Sequence, residues 1–210
     1  MKIEAVLPSQ IETRSFEIIE EELKGVWIDP VHKPVLKRVI HTTADFDYVE
    51  NLIFSEHAVE GAVEALKSGS VIVTDTQMAG AGIHKASLHR LGGETVCFIQ
   101  DEEVARLSKE RGCTRSAVSM EKAAEQYPDA IYAIGNAPTA LIRLYELIQE
   151  GKAKPKLVIG VPVGFVNVVA SKELFLNSEQ CSIIAKGRKG GSNVAAAICN
   201  ALIYMATGER

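Results

Sequence analysis

The sequence predicts an α/β domain, a doubly wound parallel sheet of five strands with extra helices on its N-terminal side. Three observations carry that expectation. From residue 70 onward short β-branched runs alternate with longer segments of helical periodicity, the runs are apolar throughout, and the chain before residue 70 reads as helical. Strands that are apolar on both faces belong to a sheet covered on both faces. Parallel neighbours need a crossover, which is right-handed and usually carries a helix.

The elements follow in order. Residues 11–23 place Phe16, Ile19, Glu20 and Leu23 at spacings of three and four. Pro30, a residue suited to a first helical turn, is expected to open a second helix through Val35, Leu36, Val39 and Ile40. A third helix, 57–68, sets Val59, Ala62, Val63 and Leu66 on one stripe, with Gly69 as its stop. The five strands are SVIVTD (70–75), TVCFI (95–99), AIYAIG (130–135), KLVIGV (156–161) and CSIIAK (181–186). Helical segments lie at 102–111, 115–126, 139–149, 171–177 and about 192–206. No repeat, low-complexity tract or linker divides residues 1–210, so one domain is expected.

Composition narrows the function. The chain has 210 residues, 47% of them hydrophobic and 24% charged, with four cysteines and a net charge of −4. The charge balance excludes a disordered chain, and the few cysteines exclude a disulfide scaffold. No apolar run reaches the roughly eighteen residues of a membrane span. Nucleic-acid binding draws on Lys and Arg neutralising phosphates, so a mildly acidic chain is a poor general binder. Residues 1–7 hold Lys2 and Glu4 and no long apolar region, so no secretory signal is visible and a cytoplasmic location is expected. Cys97, Cys113, Cys181 and Cys199 form no CxxC pair and no Cys/His spacing of a metal site. Cys97, Cys181 and Cys199 lie in apolar runs, as small core residues do.

Ligands of such sheets gather outside the carboxyl ends of the strands. The segments falling there are 74–78, 135–139, 160–165 and 186–192, rich in glycine, small polar residues or cations. KGRKGGSN (186–193) joins the fifth strand to the last helix, with Lys186, Arg188 and Lys189 among three glycines. It suits an anion held on backbone N–H groups at a helix start, or else a solvated basic turn. It is neither a P-loop nor a GxGxxG turn. His41, near the C-terminal end of the second helix with Asp45 and Asp47 beyond it, suits a general acid or base, or a solvated capping histidine. Arg115 and Ser116 open a helix where a guanidinium could grip a carboxylate, although a surface arginine beside a cap has the same pattern. Arg14 and Ser15 on the first helix read the same way, and Asp75 at a strand end is either catalytic or an N-cap for 76–78. There is no GxSxG elbow and no HExxH pattern. What remains fits an acid–base step on an anionic substrate, with neither metal nor nucleotide required.

Eight segments in order carry a resemblance that runs nearly end to end: IETRSFEII (11–19), RVIHTTADFDY (38–48), NLIFSEHAVEGAVEAL (51–66), GSVIVTDTQMAGAGI (69–83), TRSAVSM (114–120), IGNAPTAL (134–141), GVPVGFVNVVASKELF (160–175) and KGRKGGSNVAAAICNAL (186–202). Together they resemble the precorrin-8X methylmutase (precorrin isomerase) family, including the cobalt-precorrin-8 methylmutases. The resemblance implies a flavodoxin-like fold, a homodimer, and a cofactor-free isomerase of the cobalamin pathway. Its reaction moves a methyl group between adjacent ring C carbons of a tetrapyrrole by a 1,5-sigmatropic shift, giving the hydrogenobyrinate or cobyrinate framework. His41 matches the family histidine, a proton donor or acceptor at the ring. Ser15, Arg38, Arg115, Ser116 and the loop residues Lys186, Gly187, Arg188 and Lys189 match positions expected to hold the substrate, whose rim carries acetate and propionate groups. Thr42 beside the histidine and Asn136 in IGNAPTAL are counted with them. Two other classes use the same residues: another α/β enzyme acting on a phosphorylated metabolite at 186–192, and a non-catalytic tetrapyrrole carrier. The average charge is acidic and the expected pocket is basic.

Overall fold

The computed structural model describes Glu4 and residues 6–209. A 3-10 turn, Pro8–Gln10, leads into α1 (Ile11–Glu22), α2 (Lys33–Thr43) and the short α3 (Tyr48–Asn51), then β1 (Leu52–Phe54) and α4 (Ala58–Lys67). The alternating part follows as β2 (Ile72–Thr74), α5 (Gln77–Gly82), α6 (Lys85–Arg90), β3 (Thr95–Val96), α7 (Glu102–Arg111), α8 (Arg115–Gln126), β4 (Ile131–Ile134), α9 (Pro138–Gln149), β5 (Leu157–Gly160), α10 (Val168–Leu176), β6 (Ser182–Ala185) and α11 (Ser192–Thr207). None of the described helices is long and apolar enough to cross a membrane.

The sheet runs β1-β6-β5-β4-β2-β3. All five expected strands are present and parallel, with registers such as Ile72↔Ile131, Ile131↔Leu157 and Ile159↔Ile183. Counted among themselves they lie in the order second, first, third, fourth, fifth, which puts the switch point between β2 and β4. The expectation of a purely parallel five-stranded sheet is corrected by β1, a sixth strand paired antiparallel to β6 through Leu52↔Ala185, Ile53↔Ile184 and Phe54↔Ile183. Three residues between two helical stripes are too few for a period to show, and an edge strand needs apolar residues on one face only.

The pleat divides the core into two layers. Ile131, Ala133, Leu157, Ile159, Ile183 and Ala185 face α2, α4 and α11, while Tyr132, Ile134, Val158 and Ile184 face α8, α9 and α10. The stripe of α2 is the one expected, with Val35, Leu36, Val39 and Ile40 all buried. Its start is not at Pro30: the helix opens at Lys33 with Pro34 in the first turn, because either proline meets the first-turn requirement and Pro30 lies in the preceding turn. Residues 77–90 fold into two short helices that periodicity does not announce, since Met78-Ala79-Gly80-Ala81-Gly82 offers no apolar stripe. β3 stops at Val96, two residues into the five-residue run that predicts it.

Candidate functional site

α2 carries the first part of the site to the carboxyl edge of the sheet. The helix ends where Ala44 takes the left-handed conformation and its N–H donates to Ile40 O at 2.7 Å. His41 lies in this last turn, where the exposed carbonyl ends favour a cation. Its half-buried ring stacks on Phe16 of α1, centroids 5.1 Å apart, and neither ring nitrogen has a hydrogen-bond partner among the described residues. The imidazole is therefore held by its face and open at its edge. Thr42 Oγ1 donates to Arg38 O at 3.0 Å, and Ser15 Oγ donates to Ile11 O at 2.9 Å, so both hydroxyls are turned onto their own helices. Arg38 pairs with Glu12 and lies over the rings of Phe16 and Tyr204. It lines an apolar cavity of about 520 Å³ between α1, α2 and α11, together with Phe16, Lys37, Tyr204 and Met205.

The basic loop between β6 and α11 is tied to that helix. Lys189 Nζ pairs with Asp45 and Asp47, just beyond the end of α2, at 2.6 Å each. The ammonium holds the Asp45 carboxyl below its ordinary range, and Lys189 in turn is raised. The Lys186 N–H donates to Asn51 O at 2.7 Å. Asp47, Tyr48, Asn51 and residues 186–189 enclose a cleft of about 300 Å³. The structure thus brings His41, Thr42 and the whole basic loop to one end of the sheet. Within the loop Lys186 and Arg188 are exposed, and the Arg188 guanidinium lies 5.6 Å from the ring centre of Phe165, in the loop after β5.

The switch point is built differently from the expectation. Asp75 does not cap 76–78 and is instead tied to the turn after β4. It is 1% exposed, and its carboxylate accepts the N–H groups of Gly135, Asn136 and Ala137 at 2.9, 2.8 and 2.7 Å. Burial pushes this carboxyl up while the three donors pull it down. Thr76 is the cap of α5, accepting from Ala79 N at 3.1 Å, and its hydroxyl also bonds Ser192 Oγ at 2.8 Å. The N–H groups that would greet an anion at the start of α9 are filled by the protein's own carboxylate. Asn136 itself is exposed beside them. Arg115 and Ser116 open α8, and Thr114 Oγ1 caps that helix and donates to Thr139 Oγ1 at 2.9 Å. That bond places Arg115 and Ser116 at the same edge as Asn136, with Arg115 exposed. Arg14 is held by Glu4 and Glu17 on the outer side of α1.

Sequence reasoning missed Lys172 of α10, which is 1% exposed and donates to Gly187 O and Lys189 O, both at 2.8 Å. Burial pulls its ammonium down to about 8. The signal was present: Val168, Ser171, Lys172 and Phe175 form the buried stripe of α10, which puts a lysine in a core position.

In sequence and fold the chain is similar to known proteins. The family model described as precorrin-8X methylmutase (CbiC) matches residues 10–205. A cobalt-precorrin-8 methylmutase of Salmonella typhimurium is 45% identical over 203 residues, covering 94% of this chain and 95% of its own. A precorrin-8X methylmutase of Pseudomonas aeruginosa is 37% identical over 191 residues, covering 90% and 91%. The solved structure of precorrin-8x methyl mutase from Thermus thermophilus superposes with a TM-score of 0.88 at 37% identity, covering 95% of this chain and 98% of that one. With an open histidine, a basic loop and the same backbone along almost its whole length, this chain belongs to the precorrin-8X methylmutase family, isomerases that shift a methyl group in cobalamin biosynthesis.

Proposed function

We propose that this chain moves a methyl group between adjacent ring C carbons of precorrin-8 or its cobalt form by a 1,5-sigmatropic shift, with His41 exchanging the proton that drives it. One observation carries the reading: the histidine with both nitrogens open stands on the helix whose tail is ion-paired to the basic loop. An acid–base group and an anion-holding surface are thus parts of one rigid unit. Protonating a ring nitrogen draws electrons toward that nitrogen and places electron demand on the carbon that receives the methyl; one carbon–carbon bond breaks, its neighbour forms with the same electron pair, and the proton returns to His41. Nothing is oxidised or consumed.

The substrate is a broad flat ring with carboxylates at its rim. Lys186 and Arg188 meet those carboxylates, the latter able to do so with two parallel hydrogen bonds. Lys189, occupied by two aspartates, braces the loop and reaches the rim only by exchanging a partner. Phe165 and Val166, 82% and 79% exposed, offer van der Waals surface to the ring face beside Arg188. Arg115, Ser116 and Asn136 hold the far rim, and Ser15, Arg38 and Thr42 complete the wall around His41. The protein works as a homodimer in the cytoplasm, a reading supported by apolar side chains exposed along its N-terminal part and by thiols free of disulfides among the described residues.

His41→Ala tests the mechanism. Turnover, followed by the visible spectrum of the corrinoid, should fall by about 10²–10⁴-fold, the usual worth of a general acid or base. Titration with the product should still give affinity within about threefold of the parent, because the ring is held elsewhere. Full activity in this variant would remove His41 from the reaction, and a static spectral shift without turnover in the parent protein would make the chain a carrier.

A further inference from the structure

The loop that carries Lys186, Arg188 and Lys189 has an internal difficulty. An anion site must turn N–H groups and cations outward, yet every residue also brings a carbonyl whose negative end repels the same ligand. In this loop three successive carbonyls are drawn away. Arg188 O accepts from Gly164 N at 3.2 Å, and the two on either side, Gly187 O and Lys189 O, converge on the ammonium of Lys172. Lys172 comes from beneath, from the buried stripe of α10, where a lysine is costly unless its charge has a task. Its amine is held down to about 8 by that burial. A side chain packed for stability alone would be better served by an apolar residue of the same volume.

We propose that Lys172 is a positioning residue for the substrate: its buried ammonium gathers the carbonyls of Gly187 and Lys189 inward and so presents the cations of the loop to the carboxylate rim. This rests on the reading above that the loop holds those carboxylates. Lys172 touches no reacting atom, and it adds a positive charge beneath the loop that no solvent screens. Lys172→Met keeps the stem and removes the donors, so the loop carbonyls lose their partner and are free to turn outward. Lys172→Arg keeps charge and donors.

The test is a cycle on the full chain, with hydrogenobyrinate titrated by its visible spectrum and steady-state turnover measured alongside. K172M should weaken hydrogenobyrinate binding about tenfold and raise KM by a similar factor, with kcat within about threefold. K186A/R188A should weaken binding by about tenfold or more. Joining K172M to K186A/R188A should cost no more than about twofold beyond the latter, because the lysine acts through the cations already removed. K172R should return to within about threefold of the parent, whereas a role in packing alone predicts that Met is the better replacement. If K172M does not fold, K172R decides by itself: a folded K172R with binding weakened tenfold overturns the proposal. Additive losses in the cycle, or parent-like binding in K172M while K186A/R188A is weakened, overturn the role of Lys172 and leave the loop as substrate site. Unchanged binding in K186A/R188A removes the loop reading itself, and the role of Lys172 with it.

Discussion

Asp75 joins two strand ends that lie far apart in the chain. Its carboxylate has two oxygens, both used, and all three donors are backbone N–H groups of the turn 135–137. Asp75→Asn keeps the size and replaces one oxygen by an NH2 group facing those donors, so at least one buried N–H loses its acceptor. Hydrogen bonds to charged groups are worth about 1.5–3 kcal/mol each, so the variant should lose roughly 2–4 kcal/mol of stability. A lower urea midpoint with unchanged slope is the expected result, and an unchanged midpoint would mean the turn is held by other contacts. At this scale the sequence was legible where a residue's type is itself the signal. His41 and the cluster of Lys186, Arg188 and Lys189 stand out by chemistry and place at a strand end. The roles of Asp75 and Lys172 depend on partners on other elements, and nothing in the local pattern around either residue names Gly135 or Gly187. The stripe of α10 marks Lys172 as a core position, but what its ammonium holds shows only once the chain is folded.

The elements that position the site were legible to the degree that they are apolar on a fixed period. β2, β4, β5 and β6 are buried at every position, and that continuity marks them in the sequence. β1 leaves no such mark because Leu52-Ile53-Phe54, though apolar, is too short to stand apart from the helical stripes on either side. The loop between β6 and α11 depends on a close approach that only glycine permits. A Cβ on Gly190 would stand 2.1 Å from Val161 O, a backbone atom that cannot swing aside, while the neighbouring Gly191 N–H donates to the same carbonyl at 2.9 Å. Gly190→Ala should therefore lift the loop off β5. Forcing volume into a packed site costs about 1–3 kcal/mol, which the urea midpoint would show. Hydrogenobyrinate affinity should fall by at least as much as in K172M, since the same cations are displaced from above instead of released from below. A destabilised variant with parent-like affinity would show that the exact seat of the loop is irrelevant to binding.

For the whole molecule, a net charge of −4 conceals an uneven surface. Cations gather at the carboxyl edge of the sheet, and large apolar side chains stay exposed on the first part of the chain: Leu7 and Ile11 at 64% and 54%, and Trp27 at 84%. Scattered apolar residues are ordinary on a surface, but a tryptophan this open beside the exposed Val26, near α1 with its outward Ile18, is the composition of a contact surface. The helices before residue 70 were legible as helices, yet their periodicity accounts only for the stripes that meet the rest of the core, α1 on α2 and the others on the sheet and α11. Their outer apolar residues stay exposed on the single chain, and in the proposed homodimer a second copy would cover them by symmetry, each Trp27 against the other subunit. Light scattering at micromolar concentration should then give twice the 22.8 kDa mass of the chain. Trp27→Asp puts a charge into that contact, and a desolvated charge without a partner costs enough to dissociate a dimer, so this variant should run at the mass of one chain. Its urea midpoint should become independent of protein concentration, whereas that of the parent rises with concentration because association stabilises the folded chain. A parent protein of single-chain mass would remove the homodimer, and a W27D variant that stays dimeric would move the contact to another face.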